Sequence, residues 1–266
     1  MRRETFSTPG QVTLIVRVPS GMIDLETDFE ESGETIVELE ANSEIEEQAR
    51  IESRERRDGH EVLVQTREEG LRGLFKRNGD VRLRVTVPPG AEVEVSTASA
   101  DVKGRGPFGR VSVDTASGDV RFEHVGGEGK VNSASGDVSL SRVEGDLKVN
   151  TASGEVDVDW LGGEGTVRAA SGDITVGEAE NSLKIQTASG DQEVRSVQQG
   201  DITLQSASGD IDVGIKRGSK VFIDAKSMSG ETRSDLEVGE SIPDSDGPLV
   251  EIHATAMSGD ITVRRA

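Results

Sequence analysis

Cysteine is absent from all 266 residues, which excludes disulfides and thiolate metal sites. It leaves the compartment open, because extracellular bacterial proteins also do without it. Aromatic residues make up only 3%, and hydrophobic residues only 33%. That is thin for a core of large side chains and sufficient for small stacked layers of the kind repeat proteins build. Positive charge is scarce as well: 30 basic residues stand against 50 acidic ones, and the net charge of -20 repels a phosphate backbone and argues against nucleic acid as a partner. No apolar run reaches the length of about 18 residues that a membrane-spanning helix needs. The opening MRRETFSTPGQ runs into polar residues where a signal peptide would be apolar. The chain as written therefore reads as cytoplasmic, with no integral membrane segment.

What is abundant is glycine, 32 residues, and much of it recurs in one motif. TASGDV from Thr115 returns as SASGDV from Ser133, TASGEV from Thr151 and SASGDI from Ser206. The motif serine falls at 99, 117, 135, 153, 171, 189, 208, 229 and 258, so the spacing is 18 five times and then 19, 21 and 29. A fixed period of this kind marks a repeat architecture. Four residues before the serine stand Val95, Val113, Val131, Val149, Val167, Ile185 and Leu204. Three after it stand Val102, Val120, Val138, Val156, Ile174, Gln192 and Ile211. Five after it stand Phe122, Leu140, Val158, Val176, Val194 and Val213. These columns are core, and the residues between them are mostly polar, which is the two-residue alternation of strands on both sides of the motif.

Two short strands and two turns per 18 residues make one coil of a β-solenoid. Each strand then pairs in parallel with its equivalent one repeat on, adding about 4.8 Å per coil. The fold class is therefore all-β: a parallel two-sheet β-solenoid over residues 91–266, preceded by a β-rich N-terminal cap over residues 1–90. In the cap, NSEIEEQA from Asn42 is expected to form one or two helical turns, with Asn42 or Ser43 as cap. A hairpin should follow, turning at Asp58-Gly59. The long 29-residue spacing equals one coil plus an 11-residue insertion, Gly239 to Leu249, expected to project as an acidic loop. Arg264 and Arg265 in the last strand are expected to discourage end-to-end stacking.

The repeated corner has a structural explanation. Gly118, Gly136, Gly154, Gly172, Gly190 and Gly209 sit where the chain reverses, and glycine alone takes positive φ freely. Asp119, Asp137, Glu155, Asp173, Asp191 and Asp210 can hydrogen-bond the amides of the turn. With Asp101 they form a column of like charges about 5 Å apart, which must turn outward into water. The competing reading is a Ca²⁺ ladder, but calcium rolls use GGxGxD. Here GGEGKV and GGEGTV place core Val131 and Val167 where that aspartate would stand, so no metal or other cofactor is assigned. The hydroxyls of Thr97, Thr115, Ser133, Thr151, Thr187 and Ser206 resemble the arrays of ice-binding solenoids. They share parity with the core columns, however, and should face inward.

No nucleophile elbow, phosphate loop, dinucleotide fingerprint or metal-ligand spacing of His60, His124 and His253 is present, so the chain reads as a non-enzyme. One loop stands apart: Leu71, Leu74 and Phe75 alternate with Arg72, Lys76 and Arg77 in an otherwise acidic chain. Such a loop could touch a partner or anionic lipid, or its apolar residues could tuck onto the cap.

The segments TFSTPG, VRVPSG, LFKRNG and VRLRVTVPPGAEVEVSTAS, together with the repeated TASGDV, resemble the bacterial putative adhesin domain family, β-solenoid domains of unknown function. The resemblance spans nearly the whole chain and implies a β-solenoid. It also implies a link to cell-envelope stress systems and peripheral association with the envelope. Three functions stay open. The first is a binding or scaffold module, monomeric, whose repetitive faces hold a protein or glycan partner. The second is an exported or anchored surface adhesin. The third is a polysaccharide-active β-helix enzyme, for which Lys103, Arg105, Arg121 and Glu123 give a faint echo of a base beside carboxylates.

Overall fold

Val12, Leu14 and Val16 of the stretch QVTLIVR are at most 1% exposed, and the residues between them are only partly covered. This two-residue period recurs through nearly every strand of the computed structural model. It describes residues 1–28, 33–66, 81–236 and 247–266 and divides into two units, Met1–Asp137 and Val138–Ala266. In each coil that carries the motif one strand leads into the corner and one trails from it, so each unit has a leading and a trailing sheet.

The first unit contains β1 (Arg2–Ser7), β2 (Gln11–Arg17), β3 (Met22–Thr27), β4 (Glu34–Glu40), α1 (Ser43–Gln48), β5 (Arg50–Arg56), β6 (Gly59–Gln65), β7 (Arg82–Val87), β8 (Glu92–Ser96), β9 (Asp101–Phe108), β10 (Val111–Thr115), β11 (Val120–Val125) and β12 (Gly129–Ser133). Its leading sheet runs β5-β6-β2-β8-β10-β12 and its trailing sheet β1-β4-β7-β3-β9-β11. The helix is one and a half turns long and Asn42 caps it, its side-chain oxygen accepting from the Ile45 N–H at 2.8 Å. β5 and β6 form the antiparallel hairpin expected around Asp58-Gly59. Parallel coiling, however, begins well upstream of residue 91. β2 pairs in parallel with β8, β3 with β9, and on their other side β6 and β7 join them, also in parallel. Among the described strands of the first 90 residues, β1, β4 and β5 have no parallel partner: β1 pairs antiparallel with β4, β4 with β7 and β5 with β6, which places non-coil strands at the outer edges of both sheets.

The second unit contains β13 (Val138–Val143), β14 (Leu147–Ser153), β15 (Val156–Leu161), β16 (Gly165–Ser171), β17 (Ile174–Ala179), β18 (Leu183–Ser189), β19 (Gln192–Val197), β20 (Gly200–Ser208), β21 (Ile211–Ile215), β22 (Lys220–Ser227), β23 (Thr232–Ser234), β24 (Leu249–Ser258) and β25 (Ile261–Arg265). All its pairings are parallel and in step with the repeat: Val149 lies beside Val167, Val167 beside Ile185, and Ile185 beside Leu204. The three columns predicted as core are buried throughout.

The order of the last coils departs from the sequence. The leading sheet runs β14-β16-β18-β20-β24-β22 and the trailing sheet β13-β15-β17-β19-β21-β25-β23. Residues 249–265 thus enter between the coil of β20 and β21 and the coil of β22 and β23, which becomes outermost. This corrects the expectation for Arg264 and Arg265. They lie in β25, an interior strand, and Arg264 Nε donates to Asp212 Oδ1 at 2.7 Å one strand away. The insertion after Gly239 lies mostly outside the described residues; its final residue, Leu249, begins β24.

The core contains one polar anomaly. Gln192, 1% exposed, interrupts the column between Ile174 and Ile211. Its Nε2 donates to Thr187 Oγ1 and to the Gln205 carbonyl, each at 2.8 Å, while its Oε1 is buried with no partner. A buried acceptor left unpaired costs about 1–3 kcal/mol, comparable to what the two bonds return. Gln192→Leu adds apolar burial to that balance and is expected to raise stability by about 1 kcal/mol, read from the midpoint of urea unfolding at constant slope. A loss of stability would show that the amide's two bonds outweigh its unpaired oxygen.

Candidate binding face

The corner aspartates form a backbone-anchored ladder. The Asp119 N–H donates to Asp101 Oδ1 at 3.1 Å and the Asp137 N–H to Asp119 Oδ1 at 3.2 Å. In the second unit the N–H groups of Asp191, Asp210, Asp260 and Glu231 donate in turn to Oδ1 of Asp173, Asp191, Asp210 and Asp260, at 2.7–2.8 Å. Two carboxylates about 5 Å apart in water repel by about 0.8 kcal/mol. One hydrogen bond to a charged acceptor contributes about 1.5–3 kcal/mol, so the ladder is net stabilising. Among the described residues, no group of three or more His, Asp or Glu side chains is placed to hold a metal ion.

The glycines of the corner divide into two kinds. Gly154, Gly172, Gly190 and Gly209 have positive φ, from 125° to 151°. Gly118 and Gly136 do not, which corrects the expectation for them. There the neighbouring backbone forbids a side chain, since a Cβ would lie 1.9 Å from the Ala100 oxygen and 2.0 Å from the Gly118 oxygen. The first corner closes with alanine in place of glycine: Ala100 is fully buried and its N–H donates to Thr97 Oγ1 at 2.9 Å. The motif hydroxyls face inward as alternation requires. Thr115, Thr151, Thr187 and Ser206 are buried, and Thr115 Oγ1 accepts from the Gly118 N–H at 3.0 Å.

Three of the charges that echo a polysaccharide-active enzyme are engaged otherwise. Arg105 pairs with Glu26, Arg121 with Asp119 at 3.0 Å, and Glu123 accepts from the Gly106 N–H at 3.1 Å. A shallow depression of about 540 Å³ in the first unit is lined, among the described residues, by Arg17, Pro19, Gln65, Thr66, Ser96, Thr97 and Ala98, none of which is a carboxylate or imidazole. The loop residues Leu71, Arg72, Leu74, Phe75, Lys76 and Arg77 lie outside the described residues.

A different surface emerges on the leading sheet of the second unit. Because Leu147, Val149 and Thr151 point inward on β14, Lys148, Asn150 and Ala152 point outward, and parallel register repeats this on β16, β18 and β20. One outward column is Lys148, Thr166, Lys184 and Thr203; the next is Asn150, Arg168, Gln186 and Gln205. The alanines at 152, 170, 188 and 207 make a third, exposed and flat. None of these twelve positions carries a carboxylate, although 50 of the 266 residues are acidic. The trailing sheet of the same unit is the reverse, turning Asp157, Asp159, Glu193 and Asp212 outward.

The amides of this face are held in order. Arg168 Nε donates to Gln186 Oε1 at 3.0 Å, and Gln186 Nε2 donates to Gln205 Oε1 at 2.7 Å. All these bonds point the same way along the ladder, so the rotamers are fixed before any partner arrives. The sequence columns three and five before the motif serine contain this pattern, but alternation alone marks them only as outward.

Comparison with known proteins follows from the geometry. Residues 10–199 and 182–264 match the family model Toastrack DUF4097. No curated protein matches the chain. Among solved structures, a putative adhesin from Bacteroides fragilis NCTC 9343 is 13% identical, covering 100% of this chain and 96% of its own, with a TM-score of 0.47. A putative adhesin from Parabacteroides distasonis ATCC 8503 is 11% identical, with coverage of 98% and 96% and a TM-score of 0.48. A putative lipid binding protein from the same organism is 14% identical, with coverage of 98% and 96% and a TM-score of 0.42. With coils in parallel register, a recurring SGD or SGE corner and a family match from residue 10 to residue 264, the chain belongs to the Toastrack family of β-solenoid domains.

Proposed function

We propose that the chain is a non-enzymatic, adhesin-like binding module that holds an extended glycan across the leading sheet of its second unit, at the cell envelope. The observation that carries this reading is the carboxylate-free lattice of Lys148, Lys184, Arg168, Asn150, Gln186 and Gln205 on a chain of net charge -20. Amide, hydroxyl and guanidinium groups offer donors and acceptors at intervals of about 4.8 Å, comparable to the length of a sugar unit. The exposed alanine column leaves a flat strip on which the apolar face of a sugar ring can rest. Ordered rotamers reduce the entropy lost on binding. Carboxylates at the flanking corners, among them Asp173, Asp191 and Asp210, steer away strongly anionic polymers, so neutral or weakly anionic glycans fit best.

Affinity electrophoresis through gels containing soluble neutral, uronate-bearing or sulfated polysaccharides tests the reading. The wild-type chain is expected to be retarded by at least one neutral or uronate-bearing polymer. Retardation should weaken at least about tenfold in Arg168→Glu/Gln186→Glu, which places two carboxylates in the lattice without touching the core. A variant retarded like the wild type, or no retardation by any polymer, would remove the glycan face from consideration.

A further inference from the structure

The outermost coil of the second unit ends in an edge that its own core leaves open. Val221, Ile223 and Ala225 of β22 point inward yet remain half-exposed, whereas their neighbours Val250, Ile252 and Ala254 on β24 are fully buried. Among the described residues, nothing covers the far side of β22. Its outward face presents Phe222, 54% exposed, then Asp224, Lys226 and Met228, the last 81% exposed.

We propose that this edge pairs with the same edge of a second copy, β22 against β22 in antiparallel register, about a two-fold axis through Ala225. Two independent features select that register. The first is the direction of the backbone groups. The Lys220 N–H donates to the Pro248 carbonyl and the Met228 N–H to the Ala256 carbonyl, so even-numbered residues turn their peptide groups toward β24. By alternation, Val221, Ile223, Ala225 and Ser227 turn theirs to the open side. An axis through Ala225 sets Ala225 opposite itself and Ile223 opposite Ser227 of the second copy, and each such pair exchanges both of its hydrogen bonds.

The second feature is the side-chain order, apolar, acid, base, apolar, which is complementary to its own reverse. In this register Asp224 faces Lys226 of the other copy and Phe222 faces Met228, each twice. Moving the axis by one residue sets Asp224 against Asp224 or Lys226 against Lys226, and moving it by two residues to residue 223 sets Lys220 against Lys226. Like charges directly opposite are destabilising, so these registers are disfavoured, and an axis at Ser227 would lie at the very end of β22. Within one copy Lys226 Nζ already lies 2.8 Å from an Asp224 carboxylate oxygen, and the dimer doubles that pair into a four-charge cluster. Covering the half-exposed Val221 and Ile223 adds the hydrophobic contribution that an isolated edge lacks. The arginines expected to prevent stacking at this end lie one coil inside, in β25, and do not obstruct it.

Sedimentation equilibrium of the full chain at about 0.15 M salt tests the pairing, because long-range repulsion between acidic copies is screened there. The wild type is expected to dimerise with a dissociation constant of about 100 µM or tighter. Asp224→Lys sets lysine against lysine and should weaken the dimer at least about tenfold. Asp224→Lys/Lys226→Asp restores opposite charges in the same register and should recover it. Ala225→Pro removes the central N–H pair at an edge position where proline is tolerated, and should also abolish dimers. Circular dichroism of each variant confirms that the fold is intact. A wild type that stays monomeric to about 1 mM overturns the proposal, whether the 237–246 segment or another partner takes the edge. So does a dimer that survives Asp224→Lys and Ala225→Pro, since it would form elsewhere.

Discussion

Removing residues 163–180 is expected to leave a folded protein, whereas removing only residues 163–171 is expected to unfold the second unit. The longer deletion takes out one whole coil, β16 and β17, and joins Gly162 to Asn181, the equivalent of Gly163 18 residues on. β14 then meets β18 and β15 meets β19, with Val149 beside Ile185 and Val158 beside Val194, so both sheets stay continuous. The loss is one coil's burial and two interfaces replaced by one, which should lower the melting temperature by several degrees while unfolding stays cooperative. The shorter deletion removes the leading strand alone. β15 would then run straight into β17, two strands of one sheet that must be parallel, and parallel neighbours need a crossover of about a dozen residues or more. Loss of the cooperative transition in circular dichroism is the expected readout. Equal tolerance of both deletions, or an unfolded product of the 18-residue deletion, would refute the two-strand coil.

Gly190→Ala should be among the most destabilising single substitutions in the second unit, at about 2–4 kcal/mol. Two effects act together. Gly190 has φ 129°, where a side chain is strained, and its Cβ would lie 2.3 Å from the Gly172 carbonyl oxygen. The obstructing atom belongs to the backbone of a strand-paired coil, so it cannot swing aside, and relief requires moving one coil away from the next. Denaturant titration of the variant measures the effect. A change under about 0.5 kcal/mol would mean that adjacent corners separate freely and do not fix the rise of the solenoid.

How much of this was legible in the sequence depends on what kind of information each feature needs. The core columns were readable because an exact period places equivalent residues side by side, and alternation then says which face they take. The Asn42 cap and the Asp58-Gly59 turn were readable because the chemistry is local. Gly118 and Gly136 were assigned the right role for the wrong reason: a motif shows that glycine is needed, but not whether its own φ or a neighbour's carbonyl demands it. The order of the last coils was not readable at all. A spacing of 29 residues is the same whether a loop projects or a coil passes back beneath the one before it, because spacing reports distance along the chain and not which strand a coil lies against. The candidate face needed the outward columns to be compared with the rest of a strongly acidic surface. The alignment that located the core draws attention away from those columns.

The inverted order of the final coils also has a consequence for how the chain is made. Synthesis delivers β22 and β23 before β24 and β25, yet β22 and β23 finally rest on strands that do not exist when they emerge. The edge of β20 and β21 is formed before them, and it is the position that β24 and β25 take in the finished unit. Residues 220–234 reach their final partners only once residues 249–265 are in place. Completion of the second unit therefore requires residues 249–265 to enter beside β20 and β21, inside a coil that precedes them in the chain.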